Sequence, residues 1–462
     1  MPRIRTLIRA WLLVCVTASA ALAQTGGTGG YGVRAEGPGI KLGESLVLHP
    51  GFGILFGFDS NMEYSDDKDP NIYGPYLSLR PVIDLATRNS TRDGQSQHDV
   101  DFRLHAGATA RFLMTGDQSF NVAHIGLDAD VSALLALFPS GPYSFDVFDN
   151  FGRSSQAPYF RLEQGGNINT ITNDAGLRLR WRPGRSLGEG KLGRLEASLM
   201  YRFDLFAFEP DHASSLFGNK NYIYSDFQLK IQWRFFPKTA LYINAQETLY
   251  TYYLRNADTP PDNDPLRIVL GLKGLITPSL DVKIEVGYGN GFYQINPLCT
   301  ATPMPGQPGL TPAQQAACVS PQTVEALAEI SWRPTLMTSV TLGYRHDFNT
   351  SLVGSYYDLD TAYFGANQQI WKVLGTLRFS WEQRRFQGDL TLDNQQDGRV
   401  DNVFTGHLDF SYPVRDWAVV SIGDDTQINV SNCQFVFRGG QPAPITCNYN
   451  RTDAFIKLAF AY

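Results

Sequence analysis

After residue 23 the chain has no run of the roughly 18–20 apolar residues that a membrane-spanning helix needs. It also lacks a basic excess: 39 Lys and Arg stand against 45 Asp and Glu, a net charge of −6. A nucleic-acid partner, which demands a positive surface, is therefore not expected. There is no Gly-x-Ser-x-Gly, no His-Glu-x-x-His and no phosphate-binding loop, and the seven histidines are dispersed. Neither an enzyme nor a cofactor is expected. The run Asp66-Asp67-Lys68-Asp69-Pro70-Asn71 offers oxygen ligands but lacks the glycine and spacing of an EF-hand, so no metal site is expected. Cysteine is scarce, five in all, and no pair has Cys-x-x-Cys spacing, which argues against a structural zinc.

What is present is aromatic and glycine-rich: 43 Gly, 22 Tyr and 29 Phe, with a slightly polar mean hydropathy of −0.21. The N-terminus reads as a targeting segment over residues 1–23. Arg3, Arg5 and Arg9 precede the apolar run Trp11 to Ala20, and Ala21-Leu22-Ala23 supplies the small residues of a cleavage site, so the mature chain is expected to start at Gln24. The bulky Val14 before Cys15 argues against a lipidated cysteine. Residues 24–46 are Gly-rich, lack alternation and read as a flexible tail.

From there on the pattern has period two. Phe227, Leu229, Ile231, Trp233 and Phe235 fall on one face of an extended segment; Asp226, Gln228, Lys230, Gln232 and Arg234 fall on the other. The same division separates Phe102 and Leu104 from Asp101, Arg103 and His105, and Leu199, Tyr201 and Phe203 from Ser198, Arg202 and Asp204. A strand between lipid and water hides its hydrophobicity at every second residue, which reconciles a polar average with a fully apolar face. Segments of this kind fall at 49–63, 75–87, 97–113, 121–137, 142–153, 168–182, 193–207, 222–236 and 238–252. They continue at 265–277, 279–294, 321–333, 336–348, 354–365, 370–385, 400–412, 415–431 and 451–462. The expectation is an all-β fold, one transmembrane antiparallel barrel over 47–462 with about 18 strands, 16 being the alternative count. No second domain is expected.

Short Pro-bearing links (Phe236-Pro237-Lys238, Thr277-Pro278-Ser279, Arg333-Pro334-Thr335 and Pro413-Val414-Arg415-Asp416) alternate with long polar ones at 64–74, 153–167, 208–221, 253–264, 295–320 and 432–450. In a bacterial outer-membrane barrel these become periplasmic turns and outer loops, with the N-terminal tail in the periplasm. Four cysteines remain after cleavage, Cys299 and Cys318 in one long link and Cys433 and Cys447 in another. An even count in an exported chain predicts disulfides, with pairing inside each link favoured among the connectivities, each stabilising by about 3 kcal/mol. Counting back from the end, Tyr462, Phe460, Leu458 and Ile456 share one face of the last segment. An apolar alternation ending on an aromatic resembles the signal read by the barrel-assembly machinery.

The polar face carries the candidate functional residues. Arg103, Arg178, Arg180, Arg182, Arg202, Lys230, Arg234, Lys283, Arg333, Lys372 and Arg378 are expected to line the lumen, interspersed with carboxylates. The Arg178-x-Arg180-x-Arg182 row is the best candidate for a solute-facing stripe, and ion pairing within a wet wall is the competing reading. His105, His124 and His407 are expected to face inward as polar lining. Trp181, Trp233, Phe235, Trp332, Trp371, Trp381 and Trp417 lie near segment ends and read as interfacial girdles.

Four patches carry a family resemblance: Phe58-Asp59-Ser60-Asn61-Met62-Glu63-Tyr64, Phe145-Asp146-Val147-Phe148-Asp149-Asn150-Phe151-Gly152-Arg153, Gly287-Tyr288-Gly289-Asn290-Gly291-Phe292-Tyr293 and Gly343-Tyr344-Arg345-His346-Asp347-Phe348. They resemble the β-barrel porin-2 family, which includes barrels encoded with myxobacterial-type exopolysaccharide export systems. The resemblance implies an outer-membrane pore for a secreted polysaccharide, working with a periplasmic export protein that has no membrane-spanning part of its own. The family has no catalytic motif to carry across. A general diffusion porin for small solutes, and a non-conducting structural or adhesive barrel, are the other two function classes the sequence leaves open.

Overall fold

The computed structural model describes residues 37–62, 64, 72–87, 99–116, 125–155, 169–184, 193–209, 221–253, 262–292, 320, 322–351, 356–387, 399–432, 434–435 and 445–462. Among them there is no helix. The chain opens with β1 (Ile40–Leu42), β2 (Leu46–Asp59), β3 (Gly74–Thr87), β4 (Val100–Leu113) and β5 (Gly126–Leu137). Next come β6 (Tyr143–Ser154), β7 (Thr170–Trp181), β8 (Leu195–Phe208), β9 (Tyr222–Phe236) and β10 (Thr239–Tyr252). They are followed by β11 (Leu266–Thr277), β12 (Leu280–Asn290), β13 (Gln322–Thr335), β14 (Thr338–Thr350) and β15 (Tyr356–Ile370). The last are β16 (Val373–Gln387), β17 (Val400–Arg415), β18 (Ala418–Ser431), β19 (Gln434–Phe435), β20 (Ile445–Thr446) and β21 (Tyr449–Ala461).

Each strand from β2 to β18 pairs antiparallel with the next, and β18 passes to β21. The sheet then closes on itself: β21 pairs with β2 from Gly51↔Ala461 to Asp59↔Asp453. Leaving out the short β1, which only extends the start of β2, the sheet of 19 strands is a barrel of 18. Closure leaves the sheet no free edge, which is what lets it stand in lipid. Extensive contact is confined to ladder neighbours, so no described element packs across the interior.

Links of two residues, such as Pro237–Lys238, Pro278–Ser279 and Leu336–Met337, gather at one end of the barrel. Most long links gather at the other, with the small β19–β20 hairpin in the last of them, while the links 88–99 and 182–194 fall at the first end. We call these the turn end and the loop end. Both the start of β2 and Tyr462 lie at the turn end. The expected tail reaches residue 46, but β1 is part of the sheet, pairing Ile40–Leu42 with Leu46–Leu48. Gly37 also runs against the C-terminus, leaving no room for a Cβ, which would stand 2.6 Å from the Ala461 carbonyl oxygen.

Two prolines expected in turns lie inside strands. Pro334 belongs to β13 and Pro413 to β17, and at both the register slips, between Trp332 and Thr335 and between Pro413 and Arg415. Proline cannot donate to a ladder, and a bulge is where a strand tolerates that loss.

Outward positions form an apolar belt. Ile284, Val286, Leu342, Leu377, Phe379, Ile422 and Ile456 are all exposed in the isolated chain. Tyr143, Trp181, Trp233, Trp332, Trp371, Trp417 and Tyr462 ring the belt at the turn end. Trp381 lies near the loop end, where its Nε1 donates to Asn402 Oδ1 at 3.2 Å. There an outward polar network caps the belt: Asp360 accepts from Tyr344 Oη at 2.5 Å and from Arg385 Nη2 at 2.6 Å, with His346 Nδ1 at 2.8 Å. Asp149 on β6 is an exposed outward charge that interrupts the belt. An apolar band bounded by aromatic rings is the exterior of a membrane-spanning barrel.

Candidate functional site

The inward face is the candidate site, and its recurring unit is built by glycine. Tyr242 on β10 stands directly opposite Gly271 on β11, and a Cβ on Gly271 would fall 2.1 Å from the tyrosine ring. The missing side chain lets the ring lie flat across β11, so that its hydroxyl reaches Glu285 on β12. The same arrangement recurs twice. Tyr363 on β15 lies over Gly343 on β14 and donates to Glu329 on β13 at 2.6 Å. Tyr76 on β3 lies over Gly57 on β2 and donates to Asp453 on β21 at 2.7 Å. Each unit ties three strands together and turns a bare strip of backbone into packed wall.

The charged lining is organised around carboxylates. His105, facing inward on β4, has Nδ1 2.8 Å from Asp84 on β3 and Nε2 2.8 Å from Asp130 on β5. Asp130 also accepts from Arg80 Nη2 at 2.9 Å. His407 faces inward too, 2.6 Å from Asp425; His124 lies outside the described residues. On β8, Arg202 meets Asp204 at 2.7 Å and Asp226 at 3.0 Å. Arg267 bridges Glu325 at 3.0 Å and Asp347 at 3.4 Å. At the seam, Arg451 grips Asp59 at 2.6 Å, and its guanidinium lies 4.7 Å from the ring centre of Tyr64. Tyr64 belongs to the first long link, takes φ of 53° and is 4 % exposed; burial pushes its hydroxyl above its ordinary range.

The expected basic row looks different once its partners are in place. Arg180 donates to Asp146 at 2.6 Å. Arg182 is buried and donates to the Pro139 carbonyl at 2.8 Å and to Ser144 Oγ at 3.0 Å. Arg178 is buried with Nη2 3.1 Å from the Met200 sulfur. The row is therefore a braced wall rather than a free stripe. Arg103 pairs with Asp101 at 2.8 Å, Arg234 faces Glu196 at 3.6 Å, and Lys283 faces Glu285 at 3.0 Å. Arg378 keeps inward register on β16, opposite Gly365 and His407. Arg333 has inward register but is exposed at the turn-end rim. Lys372 does not line the lumen: it occupies the two-residue turn Trp371–Lys372, with its ammonium 5.7 Å from the Trp371 ring centre. Within that turn Trp371 takes a left-handed φ of 55°, and β16 starts at Val373, later than the alternation suggested.

Sequence reasoning missed an inward bank of aromatics at the loop end of β8, β9 and β10. Phe206 and Tyr222 stack at 5.0 Å with 8° between planes, and Tyr224 and Tyr250 lie 4.9 Å apart. The signal was present as aromatics at alternating positions on the polar parity, Phe206 and Phe208, then Tyr222 and Tyr224, then Tyr250 and Tyr252.

Ile456, Leu458, Phe460 and Tyr462 all point outward and are exposed, while Arg451 and Asp453 point inward. Cys447 is buried and disulfide-bonded. Cys299, Cys318 and Cys433 lie outside the described residues, as does the run Asp66 to Asn71.

No family model matches the chain, and no curated protein matches it. Among solved structures it is similar to OccAB3 of Acinetobacter baumannii, with 11% identity and a TM-score of 0.46 over 91% of this chain and 100% of that one. It is similar to the FrpB iron transporter of Neisseria meningitidis, with 9% identity and a TM-score of 0.47 over 92% of this chain and 83% of that one. It is likewise similar to OccK5 (OpdH) of Pseudomonas aeruginosa, with 8% identity and a TM-score of 0.41 over 90% of this chain and 98% of that one.

Proposed function

We propose that the protein is an outer-membrane channel that exports a secreted polysaccharide together with a periplasmic export protein. The observation that carries the channel reading is the width of the closed barrel combined with its polarity. Eighteen strands enclose more space than side chains can fill. The wall facing that space is charged and hydrogen-bonded along its length, which suits a hydrophilic cargo moving through water. The polysaccharide and its export partner come from the sequence resemblance, and the inward aromatic bank on β8–β10 supports a saccharide, since ring faces stack on sugars. Pairing of Cys433 with Cys447, and of Cys299 with Cys318, belongs to the same proposal: it would stiffen two long links at the loop end.

Deleting the gene and measuring surface polysaccharide tests the reading. Loss of surface polysaccharide with normal uptake of small solutes is expected. Unchanged polysaccharide with slowed solute uptake would sink export and leave a general diffusion porin, the reading favoured if the lumen proves to select solutes by charge.

A further inference from the structure

Most lumen arginines described above meet a carboxylate, yet two lysines meet none. Lys230 on β9 and Lys273 on β11 both face inward and half-buried, and among the described residues neither has an ion pair or hydrogen bond. Their ammonium groups instead sit over one ring, 4.5 and 5.8 Å from the centre of Tyr242. The flat seat of Tyr242 over Gly271 fixes that platform, because the ring is 2 % exposed and its hydroxyl is committed to Glu285.

The surroundings leave positive charge over. Lys273 stands directly opposite Lys283 in the ladder, a like-charge pairing that costs stability unless something neutralises it. Glu285 is taken by Lys283 at 3.0 Å and Glu196 is turned towards Arg234 at 3.6 Å. Cation–π contact stabilises an ammonium less than a charge-assisted hydrogen bond to an anion does. Two unpaired ammonium groups on the strands flanking β10, held over its rigid Tyr242 ring and facing the lumen, are a preorganised receptor for negative charge.

We propose that Lys230 and Lys273, seated over Tyr242, form an oxyanion site in the lumen wall that takes a carboxylate, sulfate or phosphate group carried by a solute or polymer in transit. The inference rests on the channel reading for access to the site, while the site itself stands on its own geometry.

The test uses the purified full-length barrel in detergent, titrated with sodium sulfate, sodium phosphate and sodium acetate by calorimetry, followed by reversal potentials in planar bilayers under a KCl gradient. The Lys230→Met/Lys273→Met variant is expected to bind sulfate about tenfold more weakly, the scale of one lost charge-assisted contact. Its reversal potential should move towards cation preference. The Lys230→Arg/Lys273→Arg variant should retain binding, and Arg103→Gln, which removes a paired cation elsewhere in the lumen, should leave it within about twofold. Heat-modifiable gel migration confirms that each variant is folded. Wild-type protein that binds none of the three anions overturns the site, as does equal loss in Arg103→Gln, which would mean diffuse charge alone. If wild type binds sulfate but conducts nothing, the channel reading falls and the site stands.

Discussion

Arg451 shows how a single lumen side chain holds the molecule closed. It lies on β21, the last strand to join, and its carboxylate partner Asp59 ends β2, the first barrel strand. Side-chain exposures of 12% and 4% mean that neither charge is well hydrated, so removing one leaves the other stranded. Arg451→Met is expected to destabilise the barrel by about 3 kcal/mol, and Asp59→Leu in the same background should recover part of that loss. Urea midpoints of protein folded in lipid vesicles measure both; a double variant weaker than either single one would exclude the pair as the seam's main tie. That Arg451 faces inward is legible in the sequence from the alternation of β21. Its partner is not, because Asp59 lies 392 residues away and only ring closure brings the two together. The same blindness turned Arg178, Arg180 and Arg182 into a stripe: Asp146, which neutralises Arg180, belongs to a neighbouring strand whose register no local pattern specifies.

The elements themselves were far more legible, since period two survives on every strand. β9 falls on the expected residues, Tyr222–Phe236, and every barrel strand overlaps its expected segment. The ends escaped at Trp371–Lys372, a turn with no Gly or Asn, and where a bulge absorbed a proline, as at Pro334 and Pro413. What alternation cannot reveal is why some inward positions are glycine. The structure explains it at Gly271, Gly343 and Gly57, each covered by a flat tyrosine. Gly271→Ala should force a methyl into the Tyr242 ring and cost about 1–3 kcal/mol, as overpacking does. Gly365 also faces inward, but a Cβ there meets nothing within 4 Å. Gly365→Ala should stay within about 0.5 kcal/mol of wild type. Comparing the two midpoints separates a packing role from the general entropy of glycine, which predicts that both substitutions stabilise.

At the scale of the whole molecule the two ends are chemically unlike, and with the proposed outer-membrane location that asymmetry predicts an orientation. The turn end carries all five two-residue links beside the longer 88–99 and 182–194, the girdle of Trp181, Trp233, Trp332, Trp371 and Trp417, and both ends of the barrel chain. The loop end carries the long links, the inward aromatic bank and the polar network around Asp360. A barrel inserted from the periplasm carries its loops through the lipid while its turns stay behind, so under the proposed location the loop end is expected to face outside. An epitope inserted between Leu336 and Met337 should thus be hidden from antibody on intact cells and revealed on permeabilised ones. Leu336 is fully exposed at its turn, so antibody access depends on the membrane rather than on burial within the protein. The same epitope placed in the link that follows β12 should be bound on intact cells. Labelling of the turn epitope alone on intact cells would reverse the orientation, moving the aromatic bank to the periplasmic mouth, where an exported polymer would meet it on entry instead of on exit.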